Sequence, residues 1–483
     1  MSKVRKFLFA SFGQNYIGIV LQLLSSVIIS RLLTPHEIGI FSVAIVLIGF
    51  AHTFRDSGST TYIIQEKDLT PDKIRAAFAL TLITAWLLAL AIGLGSGYAA
   101  EFYRESGIRS VMLILSLNFI LLPFGSIPIA YMHRQMDSQR IALINIIPNV
   151  VSVAASIGLA YAGFSYLAMA WGSVSGTVCT ILMVQLWRPK DLPFLPGLKE
   201  IKKVLSFGML SNLMMILIDV SRGAPDLIIG RLSGVTMLSY FGRSMGLISM
   251  FEKLVMRALW SVALPHFSLQ SRNESGMKDS FLSSVTLVTA VAWPFFINLG
   301  LLAQPIILVL YGNQWVSSVL PMQLLCLAAI LTSPFLLAGP MMTAIGQMKQ
   351  NLYQLLIRVP VLLTLVFFAA PHGLKMIASV FIISSLIDMS VGYLQCKIVL
   401  MINARSMVEA LYKSAGVALV SAVLPLVLFL FGRDNQLWLQ LLLGLAGGVM
   451  GWFAGLYWFK HPLRGEIDQS FMMIKQTLVT LKR

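Results

Sequence analysis

The chain has 483 residues, of which 57% are hydrophobic and only 12% charged, and a formal net charge of +16. Soluble domains carry about a quarter charged residues, so the composition excludes a soluble enzyme. Apolar runs of about 20 residues, each able to cross a ~30 Å hydrocarbon core, recur from end to end and predict an all-α polytopic membrane protein; a barrel would show ~10-residue alternating segments instead.

The first element follows a basic start, Met1-Ser-Lys3-Val-Arg5-Lys6. Its apolar part continues to Leu33 without a small-residue cleavage pattern, so it reads as an uncleaved first span. In chain order the spans are predicted at 11–33, 39–60, 76–98, 109–132, 141–162, 165–187, 204–230, 235–264, 281–309, 317–345, 352–370, 376–400, 414–432 and 437–459. Fourteen spans of this spacing read as two six-helix bundles, 1–190 and 204–403, and two additional helices in 404–461. A connector at 191–203 and a tail at 462–483 complete the chain. The link around the connector is rich in proline and lysine and suits a membrane surface. In the tail, Ile467, Phe471, Ile474, Leu478 and Leu481 recur at helical spacing, the pattern of an amphipathic helix lying in the interface.

The net positive charge is not a nucleic-acid signature, because the basic residues sit in the short links. With the N-terminus in the cytoplasm, one side holds most of them and the other holds Arg31, Arg104, Arg109, Arg231, Lys375 and Arg433. The positive-inside rule then places both termini in the cytoplasm. Cys179, Cys326 and Cys396 lie in or beside apolar runs, and the six histidines show no i, i+4 pair. Neither a disulfide framework nor a metal site is expected.

The halves repeat. Ile29-Ser-Arg31-Leu32 and the following residues to Phe41 align without gaps on Ile229-Gly-Arg231-Leu232 to Phe241. Ser11-Phe12-Gly13 recurs as Ser206-Phe207-Gly208, and Pro128 with Gln135-Met136 recurs as Pro340 with Gln347-Met348. Both repeats start on the same side of the membrane. A parallel repeat of this kind predicts halves facing a central cavity and alternating access.

Charge inside the apolar runs concentrates at 216–257. Ionisable groups cost ~2.5–3.5 kcal/mol at mid-bilayer on insertion scales, so they are functional candidates there. Asp219, Arg222 and Asp226 follow i, i+3, i+7, one helix face, and Gly223 with Pro225 predicts a kink. Arg243 and Arg257 lie nearly four turns apart on one stripe, with Lys253 one turn before Arg257 and Glu252 displaced from it. Arg222, Arg243, Lys253 and Arg257 are the candidate substrate-binding residues. Asp219, Asp226 and Asp388 are candidates for ion coupling or ion pairing. Internal pairing of Arg222 with Asp219 or Asp226 is the competing explanation, and Arg358 beside Pro360 is a further charge at membrane depth.

Several of these stretches resemble a known family. Arg31-Leu-Leu-Thr-Pro-His-Glu37-Ile-Gly39 is similar to the Arg-x-Leu-x-Pro-x-Glu-x-Gly link of Wzx-type flippases in the MOP superfamily. Phe54-Arg-Asp-Ser-Gly58, Leu310-Tyr-Gly312-Asn-Gln-Trp315 and Asp226-Leu-Ile-Ile-Gly-Arg231-Leu with Tyr240 look like it as well. The resemblance is nearest to the exopolysaccharide exporter branch. It implies transport of an undecaprenyl-diphosphate-linked oligosaccharide, of exopolysaccharide or O-antigen type, across a bacterial inner membrane. The cationic cavity of that family would be matched by Arg222 and Arg243. No cofactor is expected beyond coupling to H⁺ or Na⁺. The expected partners are the lipid-linked substrate, membrane lipids and the polysaccharide polymerase and export machinery. Two rival readings are a cation-coupled multidrug exporter of the same superfamily and a membrane polymerase or glycosyltransferase. Excess positive charge at membrane depth disfavours cationic drugs. A transferase would want a large extramembrane loop bearing acids, and none is present.

Overall fold

A computed structural model describes residues 3–55, 59–189, 192–193, 195–272, 276–432 and 436–469. The described residues form helices and links without a strand. By internal contacts the chain divides into two compact units, Met1–Ser239 and Tyr240–Arg483.

The first unit contains α1 (Lys3–Leu32), α2 (Pro35–Arg55), α3 (Ser59–Gln65), α4 (Pro71–Tyr103), α5 (Ser106–Leu121), α6 (Pro123–Arg134), α7 (Ser138–Tyr161), α8 (Leu167–Leu186) and α9 (Ile201–Leu232). α10 (Val235–Phe251) starts in it and continues into the second unit. There follow a π turn (Glu252–Met256), α11 (Arg257–Arg272), α12 (Met277–Leu301), α13 (Ala303–Leu310), a 3₁₀ segment (Asn313–Ser318), α14 (Val319–Thr332), α15 (Ala338–Ala344), α16 (Met348–Ala369), α17 (Leu374–Leu400), α18 (Ala404–Phe431) and α19 (Leu437–Trp458). Among the described residues ten helical stretches are long and apolar enough to cross a membrane, or eleven if the bent pair α5–α6 is one span. The protein is a multi-pass membrane protein. The expected spans at α1, α9 and α10–α11 are helical but include residues whose side chains are not described, and most of the amphipathic tail, 470–483, lies outside the description.

Local chemistry explains the helix ends. The link between α1 and α2 is a capping box. The Glu37 carboxylate accepts from the Thr34 amide at 2.7 Å and its hydroxyl at 2.8 Å, while the Glu37 amide donates back to Thr34 Oγ1 at 3.3 Å. Ser165 donates to the other oxygen of Glu37, and His36 pairs with Glu105 at 2.9 Å. One short link thus holds two other loops of its unit, α4–α5 and α7–α8. Two residues on, Gly39 lies against Val235: a Cβ there would come within 2.5 Å of the Val235 carbonyl carbon and nearer still to its oxygen. Thr70 caps α4, with Pro71 in the first turn. The connector packs on the same unit through the buried Leu192, Gly197 N–H to Arg75 O at 3.2 Å, and Lys199 to Asp72 at 2.9 Å. In the second unit α18 and α19 pack on each other and on α12. There Asn298 donates to Ser421 at 2.7 Å, Ser421 to Gly448 O at 2.9 Å, and Trp452 to Ala290 O at 2.7 Å.

Helix breaks fall at places the sequence did not mark. The kink predicted at Gly223–Pro225 does not interrupt α9, which runs as one helix with Pro225 inside it. A proline removes a single intrahelical donor, and membrane helices tolerate that. The span expected at 109–132 instead bends by 51° at Leu122, where Pro123 opens α6. The span expected at 235–264 passes through a π turn and extends to Arg272.

Candidate functional site

The seven candidate residues divide between the units. Asp219, Arg222 and Asp226 belong to the first; Arg243, Lys253, Arg257 and Asp388 belong to the second.

In the first unit α9 packs antiparallel along α2 and beside α4. Asp219 is half-buried and accepts a hydrogen bond from Thr53 of α2. One turn on, Gly223 lets the helices close: a Cβ there would meet Phe50 and Val46 at 3.0 Å each. Tyr103 of α4 donates to the Leu227 carbonyl at 3.4 Å. Asp226 is half-buried on this same stretch, whereas Arg222 is exposed. Asp219 and Arg222, three residues apart, therefore differ in role. One oxygen of the carboxylate is held by a neighbouring helix, and the Arg222 side chain is exposed. The α2 end carries more polar groups, with the His52 ring 4.5 Å from Phe119.

In the second unit Arg243 is a packed cation. Its guanidinium carbon lies 5.0 Å from the Trp315 ring centre and 5.4 Å from that of Tyr311. Both rings are buried, and the Tyr-Gly-Asn-Gln-Trp stretch that carries them is thereby explained as a cage. Ser244 donates to Ser318 O at 2.8 Å and Ser318 to Tyr240 O at 2.9 Å, which locks α10 onto the segment carrying Trp315. Cation–π contacts of this desolvated kind are worth about 2 kcal/mol. Lys253 is half-buried in the π turn, a helical irregularity frequent at functional sites. Arg257 opens α11, and its side chain lies outside the described residues.

Asp388 is buried in α17 and forms an ion pair with Arg358 of α16, Nε to Oδ2 3.1 Å. Sequence reading named both residues without joining them; the available signal was two opposite charges, each isolated in adjacent apolar runs. Thr53, the partner of Asp219, carried no signal at all. Among the described residues no group of three His, Cys, Asp or Glu side chains could hold a metal ion, and the three cysteines are free.

The pattern of the family described as "Polysaccharide biosynthesis protein" matches residues 28–320. The chain belongs to that family. Among relatives, it is 22% identical to the succinoglycan biosynthesis transport protein ExoT of Rhizobium meliloti, over 72% of this chain and 70% of that one. It is 22% identical to the teichuronic acid biosynthesis protein TuaB of Bacillus subtilis, over 79% of each. Among solved structures, the fold is similar to that of the lipid II flippase MurJ in an inward closed conformation. The TM-score is 0.72 at 13% identity, over 92% of this chain and 97% of that one. An inward-facing multidrug resistance MATE family transporter of the MOP superfamily matches with a TM-score of 0.64 at 13% identity, over 79% of this chain and 94% of that one. Membership thus agrees with what the motifs of the first link and of Leu310–Trp315 resemble, and the fold is the one those two transporters share.

Proposed function

We propose that this protein moves an undecaprenyl-diphosphate-linked oligosaccharide from the cytoplasmic to the periplasmic leaflet of a bacterial inner membrane by alternating access, without a chemical step. The reading takes the chain as fourteen spans, 1–190 and 204–403 as parallel six-helix repeats, with both termini cytoplasmic. Family membership and relatives named for polysaccharide biosynthesis and its transport support the substrate class, as does a fold shared with a lipid II flippase.

The observation that carries the reading is Arg222, a cationic side chain well inside α9 that stays exposed, on one helix face with Asp219 and Asp226. A charge at that depth is costly against lipid and belongs in a polar space. Its planar fork suits a diphosphate. Arg243, caged by two rings, supplies a fixed positive charge, and Lys253 and Arg257 extend the cationic path. Asp219 and Asp226 are the groups through which H⁺ or Na⁺ would couple. A membrane potential negative inside favours outward movement of an anion by ~2.3 kcal/mol per charge per 100 mV. Polymerase and export proteins are the partners expected downstream.

The test is flipping of lipid-linked oligosaccharide in proteoliposomes, with and without an imposed potential. Arg222→Ala and Arg243→Ala abolish flipping while the protein remains inserted. Normal flipping in both variants refutes the site, and glycosyl transfer by the purified protein refutes the transport reading.

A further inference from the structure

The ion pair of Arg358 with Asp388 sits deeper than a surface bridge. Arg358 is ten residues into α16, about 15 Å from its start at 1.5 Å per residue. Asp388 is close to the middle of α17. The two partners are unequal. The side chain of Asp388 is 10% exposed and that of Arg358 is 48% exposed. A pair whose purpose is packing buries both members, because a half-exposed ion contributes little and a lone buried one costs several kcal/mol.

Arg358 lies off the apolar exposed arc of α16. Tyr353, Leu356, Ile357, Pro360, Thr364, Phe367 and Phe368 follow the helical period along one exposed and mainly apolar arc of α16. Arg358 falls beyond the edge of that arc, on the side of Asn351 and Gln354. This polar side is held in register by neighbours. Gln395 of α17 donates to Gln350 O at 3.1 Å, and Asn351 donates to Gly339 O at 3.1 Å and to Thr343 Oγ1 at 3.2 Å. Gln395 to Gln350 and Asp388 to Arg358 form two rungs of an antiparallel seam. The second rung is made through Nε and Oδ2 at 3.1 Å.

We infer that Arg358 is an anion-binding residue of the second unit, held ready by Asp388, and that its ligand is the diphosphate of an isoprenoid-linked substrate. This rests on the transport reading above and adds to it a binding group that acts by exchange. Without ligand, Asp388 occupies the guanidinium. When the diphosphate arrives, its oxygens replace the carboxylate at the fork. A site that is partly self-occupied binds more weakly by the fraction of time it is occupied. Removing the competing charge therefore strengthens binding, whereas removing a structural partner weakens it.

The experiment measures binding of farnesyl diphosphate to the full-length protein in phosphatidylcholine nanodiscs. The proteins compared are wild type, Arg358→Gln, Asp388→Asn and the double variant. The expected results are a loss of about tenfold for Arg358→Gln, the loss of one charge-assisted contact, and a gain of about threefold for Asp388→Asn. The double variant matches Arg358→Gln, because without Arg358 there is nothing to release. If Arg358→Gln does not fold, Asp388→Asn alone decides by the sign of its effect. Wild-type binding that is insensitive to Arg358→Gln, or weakened binding in Asp388→Asn, overturns the inference and leaves the transport reading standing. Binding that disappears on adding phosphatidylglycerol to the nanodisc makes a phospholipid headgroup the ligand and overturns it too. Failure of wild type both to bind the diphosphate and to flip lipid-linked oligosaccharide overturns both readings.

Discussion

Gly39 and Gly49 lie on the same helix, and the same substitution at each should change stability in opposite directions. A Cβ at Gly39 would come within 2.5 Å of the Val235 carbonyl carbon and 3.0 Å of the Val235 Cβ. The obstacle is backbone, which cannot rotate aside, so α2 must move by roughly 1 Å from Val235 or the first turn of α10 must distort. Overpacking of this kind costs about 1–3 kcal/mol. At Gly49 a Cβ meets nothing within 4 Å. Replacing glycine by alanine there gains about 0.8–1.0 kcal/mol of helix propensity. With a sensitivity of about 2–4 °C per kcal/mol for a unit of this size, 3 kcal/mol at Gly39 lowers the melting temperature by about 6–12 °C. Gly49→Ala leaves it unchanged or raises it by a few degrees. Thermal unfolding of the purified variants in one detergent, followed by tryptophan fluorescence, gives both numbers. A Gly39→Ala protein as stable as wild type, or two variants that shift together, would refute the close approach of α2 to Val235.

Three further outcomes follow from the same geometry. Glu37→Ala removes the acceptor of the Thr34 amide, the Thr34 hydroxyl and Ser165, a cap plus a charge-assisted bond, and lowers stability by about 3 kcal/mol in the same melting assay. Thr53→Val strips Asp219 of its donor and costs about 1–3 kcal/mol, while Thr53→Ser, which keeps the hydroxyl, stays near wild type. His461 is 2% exposed and faces Ser414 at 3.2 Å, with its Nδ1 accepting from the Leu463 amide at 3.1 Å. Burial, with the Lys413 charge adding to it, pushes its pKa down from 6.5 to about 4. Folding therefore keeps the imidazole neutral where the unfolded chain would protonate it. Its contribution is fully present above pH 6.5 and is lost as the pH falls towards 4, at up to about 1.4 kcal/mol per pH unit. Melting curves from pH 7 to 4 show that fall in wild type, and His461→Gln flattens it.

The long apolar runs were legible because crossing a bilayer is a requirement on local composition, and α4, α12, α16, α17, α18 and α19 all lie where those runs lie. Helix breaks were not. Gly223–Pro225 carries the strongest breaking residues in the charged stretch, yet α9 continues through them. The π turn at Glu252–Met256 contains neither glycine nor proline. A proline costs one donor wherever it stands, but whether the chain bends depends on what packs beside it, and that is set by distant residues. Partner choice is hidden for the same reason. Thr53 and Asp219 are 166 residues apart, and only the register of α2 on α9 brings them together.

The motifs that reveal the family and the residues proposed to meet the substrate are different sets, for a physical reason. In the first link Thr34 and Glu37 cap a helix, His36 pairs with Glu105, and Gly39 permits a backbone contact. In the second unit Tyr311 and Trp315 cage Arg243. Each of these tasks needs one residue type at one place, which makes a readable pattern in a single chain. A cationic path for a large, flexible anion makes no such demand. It needs positive charge at several depths, and Arg222, Lys253 or Arg358 can supply it from different helices without a fixed spacing. The fold of a transporter is therefore easier to read than its binding site. The charges that matter are better sought by asking which cationic side chains stay exposed at membrane depth. By that criterion Arg222 and Arg358 come before Arg243. Loss of Arg222 should reduce transport at an unchanged melting temperature, whereas loss of Arg243, or of Arg358 with Asp388 left buried behind it, should lower both.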